Sequence, residues 1–295
     1  MKAKLKKFWT DLKEWCTVQK RDFNKNMNIV KQLVRKNIKV QYRNSVIGAV
    51  WTVLNPLLNM LVMYLVFSNI FPNAKNDPYY SLYLLCGNVM FNAMRAATTQ
   101  SLPCIVNNRG LLTKNKISHN VFPLAANLSA CVNFAFSFIA LLGVMLVLQV
   151  NPAHPGVFST NIFLTILVLP ALFLFNYGLS LILSALYVFF RDIQHFYTVF
   201  LTLWTYITPI FYKIDNFGSE TSIFTTSGLF KIVVNINPMY HFIEYFRDII
   251  YRVQVGQALM PTAGDLLSLY LIGIGFLAVG AIVFMSTKNK FIYNI

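Results

Sequence analysis

The stretch that decides the fold class runs from residue 122 to residue 150 and reads FPLAANLSACVNFAFSFIALLGVMLVLQV. It contains no Asp, Glu, Lys or Arg. A helix needs about 20 mainly apolar residues to cross a bilayer, and this run is longer. A helix at the surface of a soluble protein would instead carry charged residues on one face. The stretch therefore predicts a transmembrane helix.

Composition extends this prediction to the whole chain of 295 residues. Hydrophobic residues make up 56% and charged residues 12%, against about 25% charged residues in an average soluble protein. Such hydropathy excludes a disordered or collagen-like chain. The four cysteines are Cys16, Cys86, Cys104 and Cys131. They form no CxxC pair, so neither a metal site nor a disulfide framework is expected.

Six apolar segments fit membrane spans, and together they predict an all-α membrane protein with six transmembrane helices. The segments are 49–71, 80–106, 122–150, 160–188, 194–212 and 265–287. No other connection is long enough for a soluble domain, so residues 49–287 are predicted to form a single transmembrane domain.

The distribution of charge predicts the orientation of these spans. The segment 1–48, the connections near 107–121 and 189–193 and the tail after residue 286 carry nineteen basic and four acidic residues. The opposite connections carry five basic and six acidic residues. Because basic connections stay in the cytoplasm, both termini are predicted to be cytoplasmic, including the tail 288–295. The basic residues flank spans, so a nucleic-acid binder is not expected.

Two segments outside the spans are predicted to lie at the membrane surface. Residues 1–48 contain two amphipathic stretches, which predict cytoplasmic interface helices. They act either as a passive anchor, the reading favoured for 1–23, or as a cuff around the cytoplasmic entrance. The external segment 213–264 holds two short apolar pieces, near 221–236 and 238–254. Charges in the second piece predict short interfacial or re-entrant helices before the last span.

The chain lacks the motifs of common catalytic and nucleotide sites. No GxxxxGK[ST], HExxH or GxSxG sequence occurs, and the four histidines are scattered. The acidic residues lie at span ends or in connections, whereas ion-coupled carriers place carboxylates within spans. We therefore expect no enzyme, no metal and no cofactor on this chain, and a transport function driven by another subunit.

Several short motifs, in order, resemble the permease subunits of ABC exporters for lipid-linked polysaccharides, namely O-antigen, capsule and teichoic-acid exporters. The motifs are YRNSVIGAVW at 42–51 with Gly48, Asn55-Pro56-Leu57, Arg191-Asp192-Ile193, Thr208-Pro209-Ile210-Phe211-Tyr212, Asn237-Pro238-Met239 and Phe246-Arg247. The resemblance covers the chain from about residue 30 to its end.

The resemblance implies the partners. These would be a second copy of this chain, two copies of a separate ATP-binding subunit that carries ATP and Mg, membrane lipids and a lipid-linked glycopolymer as substrate. It also implies location in the bacterial cytoplasmic membrane. Two alternatives stay open: an ABC permease that exports a drug or another lipid, and a membrane scaffold or enzyme of glycan assembly.

The ATPase-coupling segment of the family corresponds to 107–121, with Arg109, Leu111, Leu112, Lys114 and Lys116 as the expected contact residues. Ser118 stands where many relatives have proline, and Ile117 replaces an aromatic residue. A solvated basic loop would explain the three cations without any partner.

A polar stripe in the second segment and several aromatic residues are the candidates for the substrate pathway. The stripe consists of Asn88, Asn92, Arg95 and Thr99, at helical spacings. An arginine facing lipid is costly, so the stripe must face protein or water, either as a hydrogen-bonded seam or as a pathway. The resemblance implies a channel with aromatic walls, for which the candidates are Trp51, Tyr64, Phe67, Phe196 and Phe200. Packing or lipid contact is the alternative for these aromatic residues.

Overall fold

The computed structural model describes residues 25–41, 48–71, 77–114, 117–150, 160–213, 228–253 and 262–291, and every regular element in this part of the chain is helical. The elements are α1 (25–41), α2 (Gly48–Ile70), α3 (Tyr80–Ser101), α4 (Cys104–Asn107), α5 (Arg109–Lys114), α6 (Val121–Val150), α7 (Thr165–Phe189, after a 3-10 turn at Thr160–Leu164), α8 (Ile193–Ile207), α9 (Gly228–Ile236), α10 (Pro238–Arg247, continued by a π turn at Asp248–Arg252) and α11 (Ala263–Thr287, followed by a 3-10 turn at Lys288–Lys290). The predicted all-α class is confirmed.

Four helical segments in the described residues are long and apolar enough to cross a membrane. They are Val53–Ile70, Val121–Val150, Ile162–Phe189 and Ala263–Thr287. The other two predicted spans correspond to α3, which carries Arg95 and several amides, and to α8, which has only 15 residues. The count of six spans therefore stays a prediction, and the amphipathic stretch 1–23 lies outside the described residues.

Two predicted spans end earlier than the hydropathy pattern indicates. Helix α3 ends at Ser101 rather than near residue 106, next to Pro103, which has no N–H to donate. Helix α8 ends at Ile207 rather than at residue 212, because Thr208 adopts an extended conformation with ψ of 127°. The backbone N–H of Thr208 still donates to the carbonyl of Trp204, at 3.0 Å.

Helices α7 and α11 run parallel and in backbone contact. A Cβ atom on Gly273 would lie 2.7 Å from the carbonyl oxygen of Ala171, and one on Gly280 would overlap the carbonyl of Gly178. The two contacting pairs, Ala171 with Gly273 and Gly178 with Gly280, are separated by the same number of residues in sequence. Only helices that run in the same direction give such a constant separation. The predicted fourth and sixth spans thus run in the same direction, as an alternating six-span order requires.

A helix, α1, is present within the second amphipathic stretch, before the first predicted span. Val30 and Leu33 are buried in a core that includes Phe122 of α6 and Phe284 of α11, whereas Val40 is 63% exposed. Leu33 thus packs against protein while Val40 stays exposed, and the position of α1 at the membrane surface remains a prediction. The side chain of Asn37 on the same helix donates to Ser129 of α6, at 3.2 Å.

Candidate functional site: a polar cavity around Arg95

A cavity of about 260 Å³ lies where α2, α3 and α8 meet. Each of the three helices contributes polar groups to it. The lining residues are Asn59, Met63, Asn88, Phe91, Asn92, Arg95, Thr202, Thr205, Tyr206, Ile210 and Phe211.

The guanidinium of Arg95 is only partly satisfied inside this cavity. Its Nη2 donates to Oγ1 of Thr205 at 2.7 Å, and that hydroxyl donates to the carbonyl of Leu201 at 2.6 Å. The guanidinium carbon lies 5.4 Å from the centroid of the Phe91 ring. The Nε atom is buried and has no hydrogen-bond partner in the described part of the chain. A buried donor without an acceptor is unfavourable, so the site favours a ligand that supplies one.

Arg95 also lacks an anionic partner among the described residues. The four salt bridges there are Lys213–Asp77, Arg247–Glu244, Arg252–Glu244 and Arg252–Asp248, all in segments that are predicted to be external. In a site of low dielectric constant, an unpaired guanidinium attracts an anion more strongly than it would in water. A bidentate oxyanion fits this chemistry best.

The amides beside Arg95 are arranged in pairs. Asn92 donates to the side-chain oxygen of Asn88 at 2.7 Å, and Asn59 donates to that of Asn55 at 3.1 Å. Each amide keeps further donors or acceptors for a ligand. The cavity can therefore bind an anion at the guanidinium and hydroxyl groups at the amides.

Three of the four residues of the predicted polar stripe line this cavity. Asn88, Asn92 and Arg95 line it. Thr99 lies one turn further along α3, where its side chain is exposed and its hydroxyl donates to the backbone carbonyl of Arg95, at 2.6 Å.

The predicted aromatic residues lie outside the cavity wall. Trp51 and Phe196 are exposed by 51% and 73%. Tyr64 packs against Tyr80, with ring centroids 6.2 Å apart, and Phe200 packs against Trp204 at 5.2 Å. Phe67 stacks on Phe211, with ring centroids 5.3 Å apart, and so packs against a residue that lines the cavity without lining it itself.

Sequence reasoning missed Asn59, Thr202 and Thr205 as members of the site. The threonines were visible as a stripe on α8 opposite Phe196 and Phe200, but nothing in the sequence indicated that this stripe meets Arg95. Phe211, which also lines the cavity, lies beyond the end of α8 and is 8% exposed.

The motifs that follow α8 shape one end of the cavity. The guanidinium of Arg247 donates to the carbonyls of Pro209 and Ile210, at 2.8 and 2.9 Å. Asn237, which precedes Pro238, caps α10 and donates to the hydroxyl of Thr208, at 2.7 Å. These contacts position Ile210 and Phe211, which line the cavity.

The other motif residues lie away from the cavity. Gly48 begins α2 and Pro56 is buried within it. Arg191 and Asp192 are exposed in the turn before α8, where the Asp192 carbonyl accepts from the N–H of His195, at 3.0 Å. No side-chain bond to the helix start is formed by Asp192.

The predicted coupling segment contains the short helix α5. Arg109 and Leu111 are exposed there, while Leu112 packs against the core formed by α1, α6 and the ends of α7 and α11. The side chain of Lys114 and all of Lys116 lie outside the described residues.

Comparison with known proteins identifies the family. A family model described as ABC-2 type transporter matches residues 29–251, which include every residue of the Arg95 cavity. The chain belongs to the ABC-2 type transporter family. The resemblance seen in the sequence motifs is thereby confirmed.

Curated relatives of this ABC-2 transporter chain carry a common name. It is 27% identical over 263 residues to the O-antigen export system permease protein RfbA of Myxococcus xanthus, which covers 89% of this chain and 94% of the relative. It is 25% identical to a protein of the same name from Klebsiella pneumoniae, over 88% of this chain and 92% of the relative. A transport permease that crosses the membrane several times agrees with the apolar helices.

Proposed function

We propose that the chain is the permease subunit of an ABC transporter that exports a lipid-linked polysaccharide or teichoic-acid-like polymer across the bacterial cytoplasmic membrane. The observation that carries the proposal is the Arg95 cavity, where a buried guanidinium nitrogen has no partner beside two asparagines. The names of the relatives support the same substrate class.

The chemistry of the cavity matches the headgroup of such a substrate. A diphosphate offers paired oxyanions to the guanidinium, and the sugar hydroxyls that follow can bond to Asn88 and Asn92. The diphosphate would supply both the negative charge and the acceptor that Arg95 lacks. The aromatic candidates would then line the route beyond the headgroup, where they can stack on sugar rings.

A homodimer is part of the proposal because α8 has little protein around it in one protomer. The helix buries only Tyr197 and Leu201. Its exposed residues include threonines as well as large apolar side chains, and Thr198 and Thr202 are both exposed. A second copy facing α8 would enclose the open side of the cavity and complete a polar passage.

Two copies of a separate ATPase subunit would supply the energy, with ATP and Mg bound on those subunits. The exposed residues of α5, Arg109 and Leu111, support a contact there on the cytoplasmic side. Closure of the ATPase dimer would move α5 together with the core that Leu112 packs against, as a rigid body.

Depletion of the chain in the organism that encodes it tests the proposal. A lipid-linked glycan should accumulate on the cytoplasmic side of the membrane, and re-expression of the wild-type chain should restore export. A variant with Arg35→Gln, an exposed arginine on α1, should restore export equally and serves as the control. Normal surface glycan after depletion, with loss of export of a drug or another lipid, would contradict the proposal.

A further inference from the structure

A second and larger cavity, of about 740 Å³, lies near the C-terminal ends of α7 and α11 and shares no residue with the Arg95 cavity. Its walls are apolar and include Leu181 of α7 and Leu277, Ala281 and Met285 of α11. We refer to it as the α7–α11 crevice. Met285 and its neighbour Ile282 are 63% and 68% exposed, so this side of α11 faces away from the protein core.

The length of the crevice matches one leaflet of a bilayer. From Leu277 to Lys288 the chain rises about 16 Å at 1.5 Å per residue. One half of a typical hydrocarbon core is about 15 Å thick. With the C-terminus on the cytoplasmic side, the crevice runs from the inner membrane surface to about the bilayer centre.

The mouth of the crevice is cationic and rich in hydrogen-bonding groups. Lys288, Ser118 and His119 line it, and Lys288 and Ser118 are exposed. Burial and the nearby ammonium of Lys288 lower the pKa of His119, which favours the neutral imidazole, and its ring N–H can still donate one hydrogen bond. None of the described lining residues is acidic.

An aromatic cluster holds this mouth in place. The Phe291 side chain is fully buried and packs edge-on against Phe284 and His119, with ring centroids 5.3 and 5.7 Å away. The 3-10 turn at Lys288–Lys290 is thereby anchored at both ends. The packing of Phe291 thus fixes the position of Lys288 beside His119.

We propose that the α7–α11 crevice binds one anionic phospholipid of the inner leaflet. The phosphate lies between Lys288 and the Ser118–His119 turn, and one acyl chain lies along Leu181, Leu277 and Ala281. A cationic mouth without acidic residues selects an anionic headgroup, and an apolar wall as long as one leaflet selects a chain of lipid length. This lipid is separate from the transported substrate.

Native mass spectrometry of the purified full-length chain tests the proposal, with phosphatidylglycerol and phosphatidylcholine as probes in equal amounts. The wild type should retain one phosphatidylglycerol per chain in preference to phosphatidylcholine. Lys288→Gln should weaken this retention about tenfold, the factor for one lost charge-assisted hydrogen bond. Ala281→Phe, whose side chain would fill part of the crevice, should abolish the retention of phosphatidylglycerol.

Matched variants separate the crevice from general surface effects. Lys39→Gln removes an exposed lysine on α1, and Val279→Phe places a phenylalanine on a part of α11 outside the crevice, where the native side chain is 54% exposed. Both should bind lipid like the wild type. Size-exclusion chromatography verifies that each variant is folded.

Three outcomes would overturn the proposal. Equal retention of the two lipids would show that the mouth does not select an anion. Retention by Ala281→Phe at the wild-type level would show that lipid binds outside the crevice. A wild type that retains neither lipid would show that the crevice does not bind a phospholipid.

Discussion

The guanidinium carbon of Arg247 lies 3.5 Å from the centroid of the Tyr83 ring, so a cation at the end of α10 stacks on an aromatic side chain of α3. Arg247 is 1% exposed, and it also donates to Glu244 and to the two carbonyls beyond α8. A Cβ atom on Gly87 would lie 2.8 Å from its Nη2. One arginine therefore joins α3, α10 and the end of α8.

The first prediction concerns this junction. Arg247→Gln should destabilise the protein by about 3–5 kcal/mol, because it leaves buried carbonyls and part of the Glu244 charge without a partner. Arg247→Lys should be nearly as harmful, since an ammonium lacks the planar fork that binds several acceptors together. Thermal unfolding in detergent measures the effect, with Arg35→Gln as the exposed control. A melting temperature of Arg247→Gln equal to that of the wild type would contradict the assigned role.

The second prediction concerns the contact between α7 and α11. Gly280→Ala should destabilise the protein by about 1–3 kcal/mol or more, because the added methyl group overlaps the backbone of Gly178 and forces the helices apart. Gly275→Ala is the matched control, since the new Cβ would meet no atom within 4 Å apart from the neighbouring backbone of its own helix, and alanine is the better helix former. The same unfolding assay should rank Gly275→Ala at or above the wild type. The reverse order would contradict the packing.

The third prediction tests the Arg95 cavity. Arg95→Gln should lower export and substrate-stimulated ATP hydrolysis by about tenfold or more, because it removes a charge-assisted bond to the headgroup. Arg95→Lys should retain more activity than Arg95→Gln, since it keeps the charge but not the bidentate geometry. Basal ATP hydrolysis and assembly should stay at wild-type levels.

The outcomes of the Arg95 experiment separate a pathway from a structural seam. Normal export by both variants would rule out the pathway role. Failure of both to assemble would instead favour a hydrogen-bonded seam with Thr205. Thr99→Ala, at the exposed end of the stripe and outside the cavity, is the control and should export normally.

The fourth prediction concerns coupling to the ATPase. A cysteine at Leu111, which is 38% exposed, should crosslink to a cysteine on the ATPase surface in a nucleotide-dependent manner. A cysteine at Leu112 should crosslink less, because that side chain packs against the core. Crosslinking is read on denaturing gels. A stable complex with full coupling after deletion of 109–116 would exclude the docking role of α5.

The fifth prediction concerns membrane orientation. In a chain whose native cysteines are replaced by serine, an impermeant thiol reagent added to intact cells should label a cysteine at Glu220 and not one at Lys290. Both should be labelled after the membrane is opened. Labelling at 290 but not at 220 in intact cells would reverse the orientation derived from the charge distribution.

Much of the helical pattern could be predicted from the sequence because hydropathy and helix stop signals are local. The predicted segment 122–150 corresponds to α6 within one residue, and Pro238 marks the start of α10. The early end of α8 is also marked locally, since Pro209 disfavours a helical conformation at Thr208, the residue before it. The sequence did not indicate that the residues after this break are held by Arg247, distant in sequence, which binds the carbonyls of Pro209 and Ile210.

The candidate site likewise has members that the sequence predicted and members that only the structure revealed. The sequence alone determined that Asn88, Asn92 and Arg95 share one face of a helix that cannot face lipid, because helical period and the cost of a charge in hydrocarbon are local properties. Only the tertiary structure decided that Asn59, Thr202 and Thr205 complete the cavity and that Nε of Arg95 lacks a partner. Which helices become neighbours depends on packing across the whole molecule, such as the glycine contact between α7 and α11, and no single segment encodes it.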